Sequence, residues 1–268
     1  MKSRLFSFKI SMLRPYIDWS YLFHAWGIRL SGKESVEALQ LKDDAMRLLD
    51  ANGGEEVRAL FRLCDARSDG DNIILDGVRL PLLRQQHNIA DAPNLCLSDF
   101  VSPVKDRVGL FATTVAGAFC DKYRGDDYRY LLMQTLCDRL AEAAASLLHS
   151  KVRREKELWG YSPDENFTPQ QLCAEPYQGI RPAVGYPSLP DQSVIFIIDR
   201  LIGLEQIGVS LTESGAMHPH ASVCGLMFAH PAARYFAVGR ISDEQFADYA
   251  RRRGMAEDEL RRFLVRNV

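Results

Sequence analysis

The stretch DDYRYLLMQTLCDRLAEAAASLLHSKVRREKE, residues 126–157, is the longest periodic segment of the chain and the one on which its fold class turns. Leu132, Leu136, Leu140, Ala143 and Leu147 recur at three- and four-residue spacing, which lays one apolar stripe along a helix. Asp126 and Asp127 suit the positive N-terminal end of that helix, and Lys151, Arg153 and Arg154 suit its negative end. At about 100° per residue, Asp138, Glu142 and His149 fall together on another face. The spacing therefore predicts a helix from about Asp126 to Glu157.

Towards the N-terminus the pattern is mixed. Ala38, Leu39, Leu41, Ala45, Met46, Leu48 and Leu49 give helical periodicity to Glu37–Asn52, and Gly53-Gly54 closes it. Val57 to Cys64 is a short apolar run. Asp69-Gly70-Asp71-Asn72 reads as a turn into a strand at Asn72–Leu75, and Asp76-Gly77 is a further hairpin signal. Towards the C-terminus, Tyr161 to Pro190 holds six of the twelve prolines and reads as irregular. Its Phe167, Leu172, Tyr177, Ile180 and Tyr186 argue that it is ordered. Ser193 to Ile202 suits either strand or helix. Val223–Phe228 and Tyr235–Ile241 are expected to form a hairpin around Pro231. Ser242–Gln245 has the spacing of a capping box, opening a helix that carries Phe246 and Tyr249 and ends at Arg251–Arg253 and Gly254. A last short helix carries Leu260, Phe263 and Leu264. The sum is an α+β protein, and nothing demands more than one domain across residues 1–268.

Composition narrows the function classes. The chain has 268 residues, 47% hydrophobic and 25% charged, which is ordinary for a globular protein. Its net charge of −2 lacks the basic excess of a nucleic-acid binder. Apolar runs such as Val194–Ile198 and Ala141–Leu148 fall far short of the ~20 residues a membrane span needs. The start, Met1 to Lys9, is positive, but Lys9 interrupts its apolar part, so it reads as mature sequence and a cytoplasmic location is expected. Cys64, Cys96, Cys120, Cys137, Cys173 and Cys224 have no metal or redox spacing and are expected to be buried free thiols.

Four places could carry chemistry. In Gly179-Ile180-Arg181-Pro182-Ala183-Val184-Gly185-Tyr186-Pro187, two prolines stiffen the chain around an arginine whose planar fork matches a carboxylate. On spacing alone, a structured turn with a surface arginine is the simpler reading. Leu211 to Ser222 is dense in small and polar residues. His218 and His220 there lack companion ligands, so exposed loop histidines are simpler than a metal site. Asp138 and Glu142 could form a solvated acidic face or meet a cation. Asp18, among large apolar neighbours in Tyr16-Ile17-Asp18-Trp19, would need a donor if buried. No phosphate-cradling glycine loop, glycine-flanked serine or HExxH motif is present.

These segments carry a resemblance. The chain resembles the C-terminal activation domain of cobalamin-dependent methionine synthase. The similar stretches are Tyr16–Trp19, Leu83–Gln86, Leu97–Pro103, Asp138–Ala143, Tyr177–Pro182, Leu211–Ser214, Tyr235–Val238 and Asp248–Arg252. The likeness runs nearly end to end and is weakest between about Ser31 and Leu80. It implies a C-shaped α+β domain with a twisted antiparallel sheet flanked by helices, and a helix at Ser193–Ile202. It implies S-adenosylmethionine as ligand and a cobalamin supplied by a partner, with an electron from flavodoxin or a similar reductant.

By the same resemblance, Asp18 holds the ligand's amino group and Arg181 its carboxylate. Ala183 and Gly185 let the ligand come close, and Tyr186 lies where methyl meets cobalt. Glu142 and Glu175 fall near the sulfonium. Tyr235 and Phe236 form an aromatic pair beside the ligand. Met217, His218, Pro219, His220, Ala221 and Ser222 form the loop facing the corrin. This chain departs from the family pattern in three ways. His218-Pro219-His220 stands where the family commonly has Trp-Pro-Gly, so that a histidine nitrogen could face cobalt or the loop geometry could differ. Phe236 lacks a hydroxyl. The 268 residues include no homocysteine, folate or cobalamin module, so the expected role is a reactivation subunit for a separate cobalamin-carrying methionine synthase. The alternative is a non-catalytic protein that binds S-adenosylmethionine or caps a corrinoid protein.

Overall fold

The computed structural model describes residues 2–29, 35–86, 92–264 and 267. Ser31, at the start of the weakest part of the resemblance, and the chain ends Met1 and Val268 lie outside the described residues.

Six strands build one antiparallel sheet among the described residues: β1 (Arg4–Lys9), β2 (Glu56–Asp69), β3 (Asn72–Leu75), β4 (Val78–Pro81), β5 (Asp106–Thr114) and β6 (Ser222–Met227). The order is β4-β3-β2-β5-β6. The long β2 gives one edge to β5, and shares the other between β1 at Glu56–Phe61 and β3 at Ala66–Asp69. The expected turns are present. Asp76 and Gly77 both take positive φ, 46° and 86°, as a two-residue hairpin that follows strand twist requires. The Asp76 carboxylate accepts from the backbone N of Asp65 at 2.9 Å and from Arg62 at 2.6 Å, which offsets the strain of its left-handed backbone.

Both faces of the sheet are covered. Val57, Ala59, Phe61 and Leu63 enter one core, and Leu60, Cys64 and Ala66 enter the other with Val108, Leu110 and Ala112 of β5. A strand buried on both faces reads as a continuous apolar run, which is why Val57–Cys64 shows no clean alternation.

Five longer helices frame the sheet: α1 (Trp19–Ala25), α2 (Val36–Ala51), α3 (Asp127–Arg154), α4 (Val194–Ile202) and α5 (Asp243–Arg253). The Asp126 side chain caps α3 by accepting from the backbone N of Arg129 at 3.0 Å. The stripe from Leu132 to Leu147 is buried in the first core. Thr113 of β5 donates to the Ala141 carbonyl at 2.9 Å and pins α3 to the sheet. Ser193–Ile202 resolves as helix, with Val194, Ile195, Ile197, Ile198, Leu201 and Ile202 buried in the second core. The α+β antiparallel sheet flanked by helices is thus the observed architecture. No helix of the described residues is long and apolar enough to cross a membrane.

Four expectations need correction. Tyr235–Ile241 forms no hairpin with β6. The free edge of β6 is already taken: Val184 donates to the Cys224 carbonyl at 2.9 Å, Leu226 to Pro182 at 3.0 Å, and Phe228 to Ile180 at 2.9 Å. Residues 235–241 turn away, and Val238 donates to Pro187 instead. The capping box at α5 is half made. Ser242 accepts from the Gln245 backbone, but the Gln245 amide pairs in both directions with the backbone of Arg84, at 2.8 and 3.0 Å. His149 does not share a solvated face with Asp138. It is wholly buried, its Nε2 2.9 Å from Tyr161 Oη, because the proline-rich segment folds back over that part of α3. Five cysteines are buried free thiols, whereas Cys173 is exposed.

The strip along β6 depends on a glycine. A Cβ on Gly225 would stand 2.2 Å from the Pro182 carbonyl oxygen and 2.8 Å from Ala183 Cα, both backbone atoms. Gly225→Ala should therefore destabilise the protein by about 1–3 kcal/mol. The shift in the denaturant-unfolding midpoint reads this out, and an unchanged midpoint would mean the strip can move aside.

Candidate functional site

Residues 180–184 lie along β6, so Arg181 projects towards α3. Its Nη2 donates to Ser146 Oγ at 2.9 Å and its Nη1 to Glu142 Oε2 at 3.3 Å. Its backbone N donates to Tyr235 Oη at 3.0 Å, which explains where residues 235 and 236 go once the strand edge is closed to them. The guanidinium Nε is buried and has no partner among the described residues. Burial works against this charge, but Glu142 and the oxygens of Tyr177 and Tyr235 outweigh it and hold the guanidinium above its ordinary range. The surface-arginine reading of this turn is thereby set aside.

Beside Arg181 lies a cavity of about 630 Å³, within the size range of small-molecule sites. Five stretches of chain wall it. Tyr16, Asp18 and Tyr21 come from the N-terminal segment, and Arg139, Glu142, Ala143 and Ser146 from one face of α3. Leu172, Cys173 and Glu175 come from the proline-rich segment, Arg181, Pro182, Ala183, Tyr186, Pro187 and Ser188 supply a fourth wall, and Tyr235 and Phe236 a fifth. The charges on the wall are three carboxylates, Asp18, Glu142 and Glu175, against two guanidiniums, Arg139 and Arg181. The cavity is net acidic.

Asp18 is the N-cap of α1. Its Oδ1 accepts from the backbone N of Ser20 at 2.9 Å and from Ser20 Oγ at 2.6 Å, which supplies the expected donors and leaves Oδ2 for another group. Tyr186 is half exposed, and its Oη donates to Glu142 Oε1 at 3.1 Å. Burial of the hydroxyl, then the Glu142 charge, push this phenol up to about 12, so it stays a neutral donor at physiological pH. Glu142 thus faces Arg181 with one oxygen and Tyr186 with the other. Glu175 stands on the wall with a positive φ of 49°, a left-handed backbone that a side chain rarely adopts.

Most of the residues singled out in the sequence meet here. Asp18, Glu142, Glu175, Arg181, Ala183, Tyr186, Tyr235 and Phe236 share this one cavity. Gly185 does not line it. Its positive φ of 85° shapes the turn, and a Cβ there would meet Gln192 Oε1 at 2.7 Å. Met217 to Ser222 stand apart from the wall, with His218 and His220 exposed. His220 Nδ1 lies 3.5 Å from Asp138 Oδ1, one helical turn before Glu142 on α3. Among the described residues, no three His, Cys, Asp or Glu side chains gather as a metal site.

The sequence reading missed Arg139, Ser146, Tyr21 and Cys173. A signal existed for the first two. Arg139, Glu142, Ala143 and Ser146 are spaced i, i+3, i+4, i+7 and form one helical face. Pairing Glu142 with Asp138 hid that face. Tyr21 and Cys173 carry no local signal.

Two comparisons bear on this site. Residues 9–254 match the family described as vitamin B12 dependent methionine synthase, activation domain. Among solved structures, the crystal structure of the MetH reactivation domain bound to AdoHcy superposes with a TM-score of 0.92 at 37% sequence identity. The alignment covers 100% of this chain and 90% of that one.

Proposed function

Because the chain belongs to the vitamin B12 dependent methionine synthase activation-domain family, we propose that it binds S-adenosylmethionine in this cavity. The bound ligand would serve reductive methylation of cob(II)alamin on a cobalamin-carrying methionine synthase. The observation that carries the reading is Arg181, a buried guanidinium with an unpartnered Nε on the wall of a net acidic cavity.

The ligand's chemistry matches the donor set. S-adenosylmethionine offers a carboxylate, an ammonium and a sulfonium, and carries one net positive charge. Arg181 takes the carboxylate through its fork, Nε included. Asp18 Oδ2 takes the ammonium. Glu142 and Glu175 supply a negative field at the sulfonium. Tyr235 and Phe236 give flat apolar surface for the nucleoside. When the partner's cobalamin is present, one electron from a flavodoxin-type reductant and the methyl group of the sulfonium restore methylcobalamin, leaving a neutral thioether. Tyr186, held by Glu142, stands at the methyl end of the site. Met217 to Ser222, with His218 and His220 exposed at the tip and His220 beside Asp138, would meet the partner's corrin. The AdoHcy in the MetH reactivation-domain structure is that demethylated thioether, which supports placing the ligand here.

The exposed His218-Pro219-His220 tip favours a second reading, in which the protein binds the ligand and caps a corrinoid protein without methyl transfer. One pair of experiments separates the two. Calorimetric titration with S-adenosylmethionine should show binding. Cob(II)alamin-loaded methionine synthase, reduced flavodoxin and S-adenosylmethionine should then yield methylcobalamin, seen by its absorbance, when this protein is added. Binding without methylcobalamin above the no-protein control would leave the capping reading. Absence of binding would overturn both.

Glu142→Gln tests the acidic wall. Removing one carboxylate next to a sulfonium should weaken S-adenosylmethionine about tenfold and AdoHcy by clearly less, since AdoHcy lacks that charge. Equal loss for both ligands would place Glu142 away from the sulfur.

A further inference from the structure

Behind the cavity wall lies a buried polar cluster that the proposed chemistry does not use. Arg153 and Glu165 are 1% and 2% exposed at their side chains and form a two-pronged ion pair, Nε to Oε2 at 2.5 Å and Nη2 to Oε1 at 2.7 Å. A fully buried ion pair is a poor source of net stability, because desolvation cancels most of the attraction. Its geometry suggests another role. The Arg153 guanidinium lies 3.9 Å from the centre of the Tyr177 ring. The His149 ring meets the same ring edge-on at 5.2 Å. Tyr177 is thus clamped from two directions.

The clamp has an outlet into the site. Tyr177 Oη donates to Glu175 Oε1 at 3.4 Å, and Glu175 is the wall carboxylate with the left-handed backbone. Burial, in the first place, pushes the Tyr177 phenol well up, so it remains a donor. A strained residue persists where its surroundings over-determine it. Neither Arg153, Glu165 nor Tyr177 lines the cavity.

We infer that the Arg153–Glu165 pair and Tyr177 are positioning residues: they hold the Glu175 carboxylate in the cavity, and through it set the preference for a cationic sulfonium over the neutral thioether product. The inference rests on the reading of the cavity as the S-adenosylmethionine site. It names the element that makes the site release its product.

The test is the ratio of AdoHcy to S-adenosylmethionine dissociation constants, measured by calorimetry on the full chain. Three variants are needed: Tyr177→Phe, the double change Arg153→Met with Glu165→Met, and Glu175→Gln. Thermal unfolding confirms that each is folded. The apolar double change suits this purpose, since such replacements of buried pairs are often tolerated. Glu175 is solvated, so its charge is worth a few-fold: Glu175→Gln should lower the ratio about fivefold, chiefly by weakening S-adenosylmethionine, and the two positioning variants, which keep the charge, about twofold. Tyr177→Phe added to Glu175→Gln should change the ratio no further. A merely structural role would weaken both ligands together and leave the ratio fixed, which would overturn the inference. So would a normal ratio in folded Tyr177→Phe. Wild-type protein that binds neither ligand would instead overturn the assignment of the cavity itself, and the inference with it.

Discussion

Arg181→Ala should weaken S-adenosylmethionine binding about thirtyfold or more, a loss that calorimetry registers as a strongly reduced heat at concentrations that saturate the wild type. The side chain is the meeting point of the site: it touches Ser146 and Glu142 on α3, and its unpartnered Nε points to a missing acceptor. Truncating one partner of a buried, hydrogen-bonded charge pair costs about 2–5 kcal/mol, because the other charge is left without its counterion. Here that other charge is the ligand carboxylate. Arg181→Lys separates charge from geometry. It keeps the cation but loses the fork, and should recover only part of the affinity. Folding should survive both changes, since the Glu142 side chain is 25% exposed and Tyr186 still donates to it. Binding by Arg181→Ala within threefold of wild type would remove the ligand carboxylate from this arginine.

The largest expected effect on stability lies on the far side of the 181–190 strip. Asp191 is 1% exposed and accepts four donors: the backbone N of Ser193 at 2.8 Å, Ser193 Oγ at 2.7 Å, Tyr249 Oη at 2.8 Å and Arg253 Nε at 3.2 Å. It ties the start of α4 to α5, directly after the segment that carries Pro187 and Ser188 into the cavity wall. Asp191→Ala leaves the buried Arg253 charge without its counterion and takes the short carboxylate acceptor from the Ser193 and Tyr249 hydroxyls. The expected cost is about 3–5 kcal/mol, a large share of the roughly 5–15 kcal/mol that holds a domain folded. The midpoint of denaturant unfolding measures it. Adding Arg253→Met should recover a substantial part by removing the stranded charge. A shift below about 1 kcal/mol in the single variant would mean that water or a rearranged side chain takes the place of the carboxylate.

What was legible in the sequence had a local cause. Asp126 caps α3 and Ser242 caps α5, because a side-chain oxygen reaches a backbone N three residues on whatever the rest of the chain does. Asp76-Gly77 turns the chain because both positions tolerate positive φ. The α3 stripe is buried where its period says it should be. Likewise, the two-proline turn around Arg181 marks a stiff backbone by its own composition.

Other features were decided at long range. Whether residues 235–241 could pair with β6 depended on the 180–184 strip, some fifty residues earlier, which closes that strand edge first. His149 has the helical phase of a solvated face, yet Tyr161 and Tyr177 cover it. The cavity joins Asp18, Glu142, Glu175, Arg181 and Tyr235 from five separate stretches, so no spacing could reveal it. By itself, then, the sequence determined the helices α2, α3 and α5, the turns and the α+β class, since caps, turn conformations and apolar periods act within a few residues, while α1 went unread and α4 suited strand as well as helix. Which faces are covered, which strand edge is closed and where the charges converge belonged to the tertiary structure alone, because burial and charge pairing are properties of neighbours in space.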